Sequence, residues 1–88
     1  MQHPQHTSES EKRELRTIGE SLLKEREKLV ISHQDEIAQW TRRLAEMPAQ
    51  HTLGREQAQR IIKSAQDEID ELEEEITNIR AKLAELEA

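Results

Sequence analysis

The chain has 88 residues, 36% of them charged and 1% aromatic, with one Trp, no Phe, Tyr or Cys, and a formal net charge of −6. That length allows one domain at most, and the composition cannot enclose a broad globular core. The absence of Cys excludes a disulfide frame, thiol chemistry and a Cys-based zinc site, while the dominance of Ala, Glu, Leu, Lys and Arg is that of long helices and coiled coils.

Residues 1–7 read as a disordered tail. The opening MQHPQHTSES lacks the basic and apolar regions of a signal peptide. No apolar run along the chain approaches membrane length. The expectation is a cytoplasmic protein without a membrane partner. Met1, Gln2 and His3 with a free amino terminus offer four nitrogens in a plane, a set suited to Cu(II) or Ni(II), and His6 could assist. An unliganded tail is the simpler reading, and no cofactor or metal is assigned.

Ser8 followed by Glu11 has the pattern of a capping box, in which the Ser oxygen accepts from the Glu amide and the Glu side chain reaches back. The first helix therefore starts at about residue 8. Its apolar positions are Leu15, Ile18, Leu22, Leu29, Ile37, Trp40, Leu44 and Met47. Pro48 disfavours helical geometry at Met47, which ends the helix near residue 47. At ~1.5 Å per residue this is a rod of about 58 Å.

Residues 48–52, PAQHT, form a short connection. Thr52 is the expected N-cap of a second helix over about 53–87. Two long helices joined by so short a turn fold back antiparallel. One continuous helix through Pro48 is the alternative, and it would cost about 3 kcal/mol for an interior Pro.

The second helix repeats in strict heptads. Ile62, Ile69, Ile76 and Leu83 occupy one seam position, and Ala65, Leu72, Ile79 and Leu86 the other. Pairing positions whose numbers add to 101 sets Leu15 with Leu86, Ile18 with Leu83, Leu22 with Ile79 and Leu29 with Leu72. Trp40 then falls opposite Ile61, with the small residues Ala58 and Ala65 one turn to either side, as close packing of the one bulky ring requires. The first helix steps 15, 18, 22, 26, 29, 33, 37, an eleven-residue pattern. It carries a further row at Leu23, Val30, Ile37 and Leu44. If the first row pairs with the second helix, this second row is left over, and leftover apolar surface marks an interface. A second copy is the simplest cover. The expected fold is all-α: an antiparallel two-helix coiled-coil hairpin dimerising into a four-helix bundle. The expected protein interface is Leu23, Val30, Ile31, Ile37 and Trp40.

Charge is divided unevenly. Residues 8–47 carry 8 basic and 9 acidic side chains, and residues 52–88 carry 5 and 10. An acidic second half argues against a nucleic-acid partner, whose affinity comes largely from basic groups. The run DEIDELEEE places seven carboxylates between Asp67 and Glu75. Asp67, Asp70, Glu71 and Glu74 are candidates for electrostatic docking of a basic protein partner. Read plainly, they form a solvated outer face, and helical spacing alone does not build a metal shell.

Three further residues bear on chemistry. His33 lies beside the seam, facing the region of Glu68 and Ile69. Imidazole titrates near pH 6.5 in water, so it could switch, but a polar flank to the seam is the plain reading. Gly19 costs about 1 kcal/mol relative to Ala inside a helix and permits close backbone approach. Trp40 reads as core, or as an interface anchor if it stands exposed.

The sequence contains no nucleophile–base pair, no Gly-rich phosphate loop and no metal-ligand spacing, so no enzymatic activity is expected. The leading reading is a small interaction module that self-associates and binds an unidentified protein as adaptor, inhibitor or regulatory subunit. A purely structural oligomerisation coiled coil is the alternative. A third reading rests on GREQAQRIIKSAQDEIDELEEE, which resembles the coiled coil of transcript-cleavage factors, hairpins that probe a channel with their tip. That resemblance would imply acidic residues at the tip holding a catalytic metal, whereas this tip reads PAQHTLGRE.

Overall fold

A computed structural model describes residues 8–87. The expected tail, with Met1, Gln2 and His3, lies outside them. Two helices make up the fold: α1 over Glu9–Glu46 and α2 over Thr52–Glu87. They lie antiparallel as a hairpin, and among the described residues every regular element is helical. At ~1.5 Å per residue, α1 is a rod of about 57 Å.

Each end of α1 has a local cause. Ser8 holds an extended backbone, with φ −68° and ψ 159°, and its Oγ accepts from the Glu11 amide at 3.1 Å. This satisfies one of the donors left free at a helix start. At the far end Met47 is extended, with ψ 136°, the geometry Pro48 imposes on its predecessor. Its amide still donates to the Arg43 and Leu44 carbonyls at 3.1 and 3.2 Å.

The turn is compact and uses no left-handed backbone. The His51 amide donates to the Pro48 carbonyl at 3.0 Å, and the His51 carbonyl accepts from the Arg55 amide at 3.0 Å. His51 therefore occupies the cap position expected for Thr52, and Thr52 is the first helical residue. Arg55 also reaches back. Its Nη1 donates to the Leu44 carbonyl at 3.1 Å and the Met47 carbonyl at 3.2 Å. A cation thus bonds two carbonyls at the negative end of α1: that of Leu44, which it shares with the Met47 amide, and that of Met47.

Three contacts define the register. Gly19 meets Leu83, Arg26 meets Glu75 and His33 meets Glu68. Their residue numbers add to 101 or 102, so the layers lie at the expected register. The α2 seam is also as expected: Ile62, Ala65, Ile69, Leu72, Ile76, Ile79, Leu83 and Leu86 are buried or half-buried.

The α1 seam differs. Its inward positions are Arg16, Gly19, Leu23, Arg26, Val30, His33, Ile37, Trp40, Leu44 and Met47, all half-buried. These alternate by three and four over the whole helix, a strict heptad and not an eleven-residue pattern. Leu23, Val30 and Ile37, expected as the leftover row, face α2 instead. Leu15, Ile18, Leu22 and Leu29, expected at the seam centre, lie on its flank and are between 37% and 54% exposed. Continuity decides between the rows. The row from Leu23 through Val30 and Ile37 to Leu44 matches the α2 heptads along the hairpin. The row from Leu15 runs out after Leu29, its next heptad position being Glu36. The cost is a polar second row holding Gly19, Arg26 and His33, and long side chains make that tolerable by reaching the seam edge.

Candidate interaction surface

The exposed strip on α1 follows from its spacing. Leu15, Leu22 and Leu29 recur every seven residues, so they form one nearly axial row, with Ile18 beside it. From Leu15 to Leu29 the row spans about 21 Å. The seam residues next to it are Gly19, Arg26 and His33. Gly19 leaves a gap that Leu83 fills. Around that gap lies a groove of about 580 Å³, lined by aliphatic side chains from Leu15 to Leu22 of α1 and from Ile79 to Leu86 of α2, with the charged Lys82 and Glu85 beside them.

Charges border the strip on the α2 side. The Arg26 Nε is 3.7 Å from a Glu75 carboxylate oxygen, and the His33 Nε2 is 3.2 Å from Glu68. His33 Nδ1 lies 3.7 Å from Glu36. The two histidine contacts are ion pairs only while the imidazole is protonated. Lys82 stands at the same edge, lining the groove with Leu22 and Ile79. Moving from the turn toward the open end, that edge reads Glu68, Glu75, Lys82.

The opposite flank is polar. Arg80 Nη2 bonds Glu27 at 3.4 Å, and Glu73 and Thr77 stand beside them over Val30 and Ile76. At the open end Arg16 Nε approaches Glu87 to 2.9 Å as an ion pair, too far off line for a hydrogen bond. Ile31 rims this flank alone and is 57% exposed.

Of the residues expected at the protein interface, then, Leu23, Val30, Ile37 and Trp40 are half-buried on the face toward α2. Ile31 is exposed on the polar flank, so the five do not form one outward surface. Trp40 carries the Arg43 guanidinium 4.7 Å from its ring centroid. The register sets it opposite Ile61 and between Ala58 and Ala65, which are 0% and 3% exposed. A large ring at that level accounts for alanines being the best-covered residues in the hairpin.

The acidic run divides between two roles. Glu68 and Glu75 reach the seam, and Asp67 pairs with Lys63 at 3.8 Å within α2. Asp70, Glu71 and Glu74 are exposed on the outer face of α2 and make no salt bridge among the described residues. No group of three His, Cys, Asp or Glu side chains among the described residues is placed to hold a metal ion. No helix is long and apolar enough to cross a membrane. The tip exposes His51 and Leu53, and the nearest carboxylate after the turn is Glu56.

Sequence reasoning missed the outward direction of Leu15, Ile18, Leu22 and Leu29, and the role of Arg55. The first had a signal, since only one α1 row continues in heptads as far as Met47. Comparison with known protein families, curated proteins and solved structures finds no match to this chain.

Proposed function

We propose that the protein is a small non-enzymatic interaction module that docks one flank of α1 against another helix. It serves as an adaptor, inhibitor or regulatory subunit and also associates with itself. One observation carries the reading: four large aliphatic side chains, Leu15, Ile18, Leu22 and Leu29, stand together in solvent on one flank while the other flank is charged. Full burial of each would contribute about 1.5–3 kcal/mol, of which the hairpin recovers only part. Globular helices commonly bury three or more positions per heptad, while this hairpin covers two. An amphipathic helix laid along such a strip is a recurring mode of protein recognition. The exposed Asp70, Glu71 and Glu74 on the outer face favour a basic partner there, on a separate surface from the strip.

The test compares the native chain with a Leu22→Ser, Leu29→Ser variant. Both changes lie off the seam, so helix content by circular dichroism should persist. The proteins retained by a tagged native chain, and its self-association, should both fall sharply in the variant. Unchanged retention and unchanged association would sink the reading. Loss of helix content would show that the strip belongs to the hairpin core. A purely structural oligomerisation element predicts strip-dependent self-association with no specific protein retained.

A further inference from the structure

We infer that a second copy of this chain covers the strip, with the two α1 helices antiparallel about a two-fold axis at the level of Leu22 and Ile79. The inference rests on reading the strip as a docking surface, and it names the occupant.

A two-fold contact must be self-complementary, because each patch meets itself reversed. The strip has that property. Leu15 and Leu29 lie seven residues to either side of Leu22. With the axis at Leu22, each Leu22 meets its counterpart, and Leu15 of one copy meets Leu29 of the other. Leu29 of each copy then enters the groove beside Gly19 at the level of Leu15. Ile18 extends the contact to one side.

The charges on α2 agree with the same axis. Within one hairpin Leu22 is level with Ile79. Glu75 and Lys82 lie on the strip's side of α2, four residues before and three after that level. Reversal about the axis therefore brings Glu75 of one copy level with Lys82 of the other, and this happens twice. Lys82 has no ion pair within its own hairpin among the described residues, so it is available.

The competing two-fold axis, parallel to the helices, is disfavoured on the same grounds. It would stack α1 of one copy on α2 of the other. Leu15, Leu22 and Leu29 would then face the edge formed by Lys82, Glu75 and Glu68, burying charge against aliphatic surface. Crossing the copies about the perpendicular axis puts Leu22 on Leu22 and Leu15 on Leu29 and sets Glu75 beside Lys82, while Glu25, exposed and paired with Arg26 in its own hairpin at 3.4 Å, comes near the level of Ile18 in the other copy. It overlaps the open halves of the two hairpins and points the tips in opposite directions. Each tip lies about 28 residues from the axis, or roughly 42 Å.

The experiment uses the full chain, which has no native cysteine. Light scattering at tens of micromolar should report a dimer. Leu22→Cys should form a symmetric disulfide under mild oxidation, and Ala49→Cys, at the tip, should not. Leu15→Cys and Leu29→Cys should each fail to cross-link alone but cross-link when mixed. Leu22→Glu should be monomeric with its helical signal retained. Lys82→Glu should weaken the dimer several-fold, and that deficit should shrink in high salt as the repulsion is screened. Cross-linking of Leu15→Cys with itself would mean parallel α1 helices and would overturn the arrangement. So would cross-linking at Ala49→Cys without cross-linking at Leu22→Cys. A monomeric native chain whose protein retention still depends on Leu22 and Leu29 would overturn the second-copy inference and leave the docking reading standing. Indifference of both association and retention to the strip would overturn the two together.

Discussion

Gly19 and Leu83 meet so closely that a β-carbon on residue 19 would stand 2.6 Å from Leu83 Cδ2 and 3.2 Å from its Cγ. The glycine is therefore a socket for Leu83, and its helix-weakening effect is tied to that contact. Replacing Gly by Ala inside a helix ordinarily gains about 1 kcal/mol. We expect Gly19→Ala to deliver that gain in a Leu83→Ala background, where the socket is empty. In the native background it should deliver less, because Leu83 must move. Urea unfolding of the four chains gives the coupling, and equal gains in both backgrounds would contradict the socket.

Arg55 joins the two helices through the Leu44 and Met47 carbonyls. Hydrogen bonds from a charged donor are worth about 1.5–3 kcal/mol when sheltered. Arg55 is only half-buried, so solvent screening reduces this. Arg55→Ala should cost about 1 kcal/mol and speed amide exchange at Met47 and His51. Arg60→Ala, on the exposed start of α2, should change stability by less than about 0.5 kcal/mol. Similar effects at both positions would remove the special role of Arg55.

The polar row of the α1 seam should be replaceable. Arg26 and His33 are mostly covered, while Glu75 and Glu68 remain more than half exposed. Pairs of this kind contribute little net stability, and aliphatic side chains of similar volume are often better. The double change Arg26→Leu, His33→Leu should raise the thermal midpoint by several degrees at fixed protein concentration. A fall would mean that the two cross-helix ion pairs outweigh aliphatic contact.

Trp40 should behave as a half-sheltered ring. Its emission should lie to the blue of a water-exposed indole and move red on unfolding. Ala58→Leu, at a position with no exposed surface, should cost about 1–3 kcal/mol through overpacking and shift the emission in the native state. An Ala58→Leu chain with unaltered stability and emission would show that the ring does not pack at that level.

How far the sequence could be read depended on how many stripes each helix carries. α2 has one apolar stripe, so its seam was legible from Ile62 to Leu86. Ser8 and Pro48 act through their own backbone neighbourhoods, and both helix limits near them were equally legible. α1 has two overlapping rows, and local periodicity favours the row with more leucines near its start. Choosing correctly requires weighing the whole length against a partner, and accepting Gly, Arg and His at inward positions. The Arg55 bonds to α1 arise only after the turn has closed, so no pattern within either helix encodes them. The outward strip went unread for the same reason: which row is outside follows from which row is inside.

The unequal ends of the seam also constrain how the hairpin can align while folding. If α2 slid one heptad in one direction, Arg26 would come opposite Lys82, and Trp40 would trade Ile61 for Glu68. A slide the other way would put His33 against Ile61 and Trp40 against Gly54. Each displaced alignment strands a charge or leaves the large ring without its alanine shelf. Stripes of identical aliphatic residues would fit almost as well after such a slip. The mixed row of Gly19, Arg26, His33 and Trp40 works instead like the teeth of a key, with each tooth cut to a different depth and admitted at one level only.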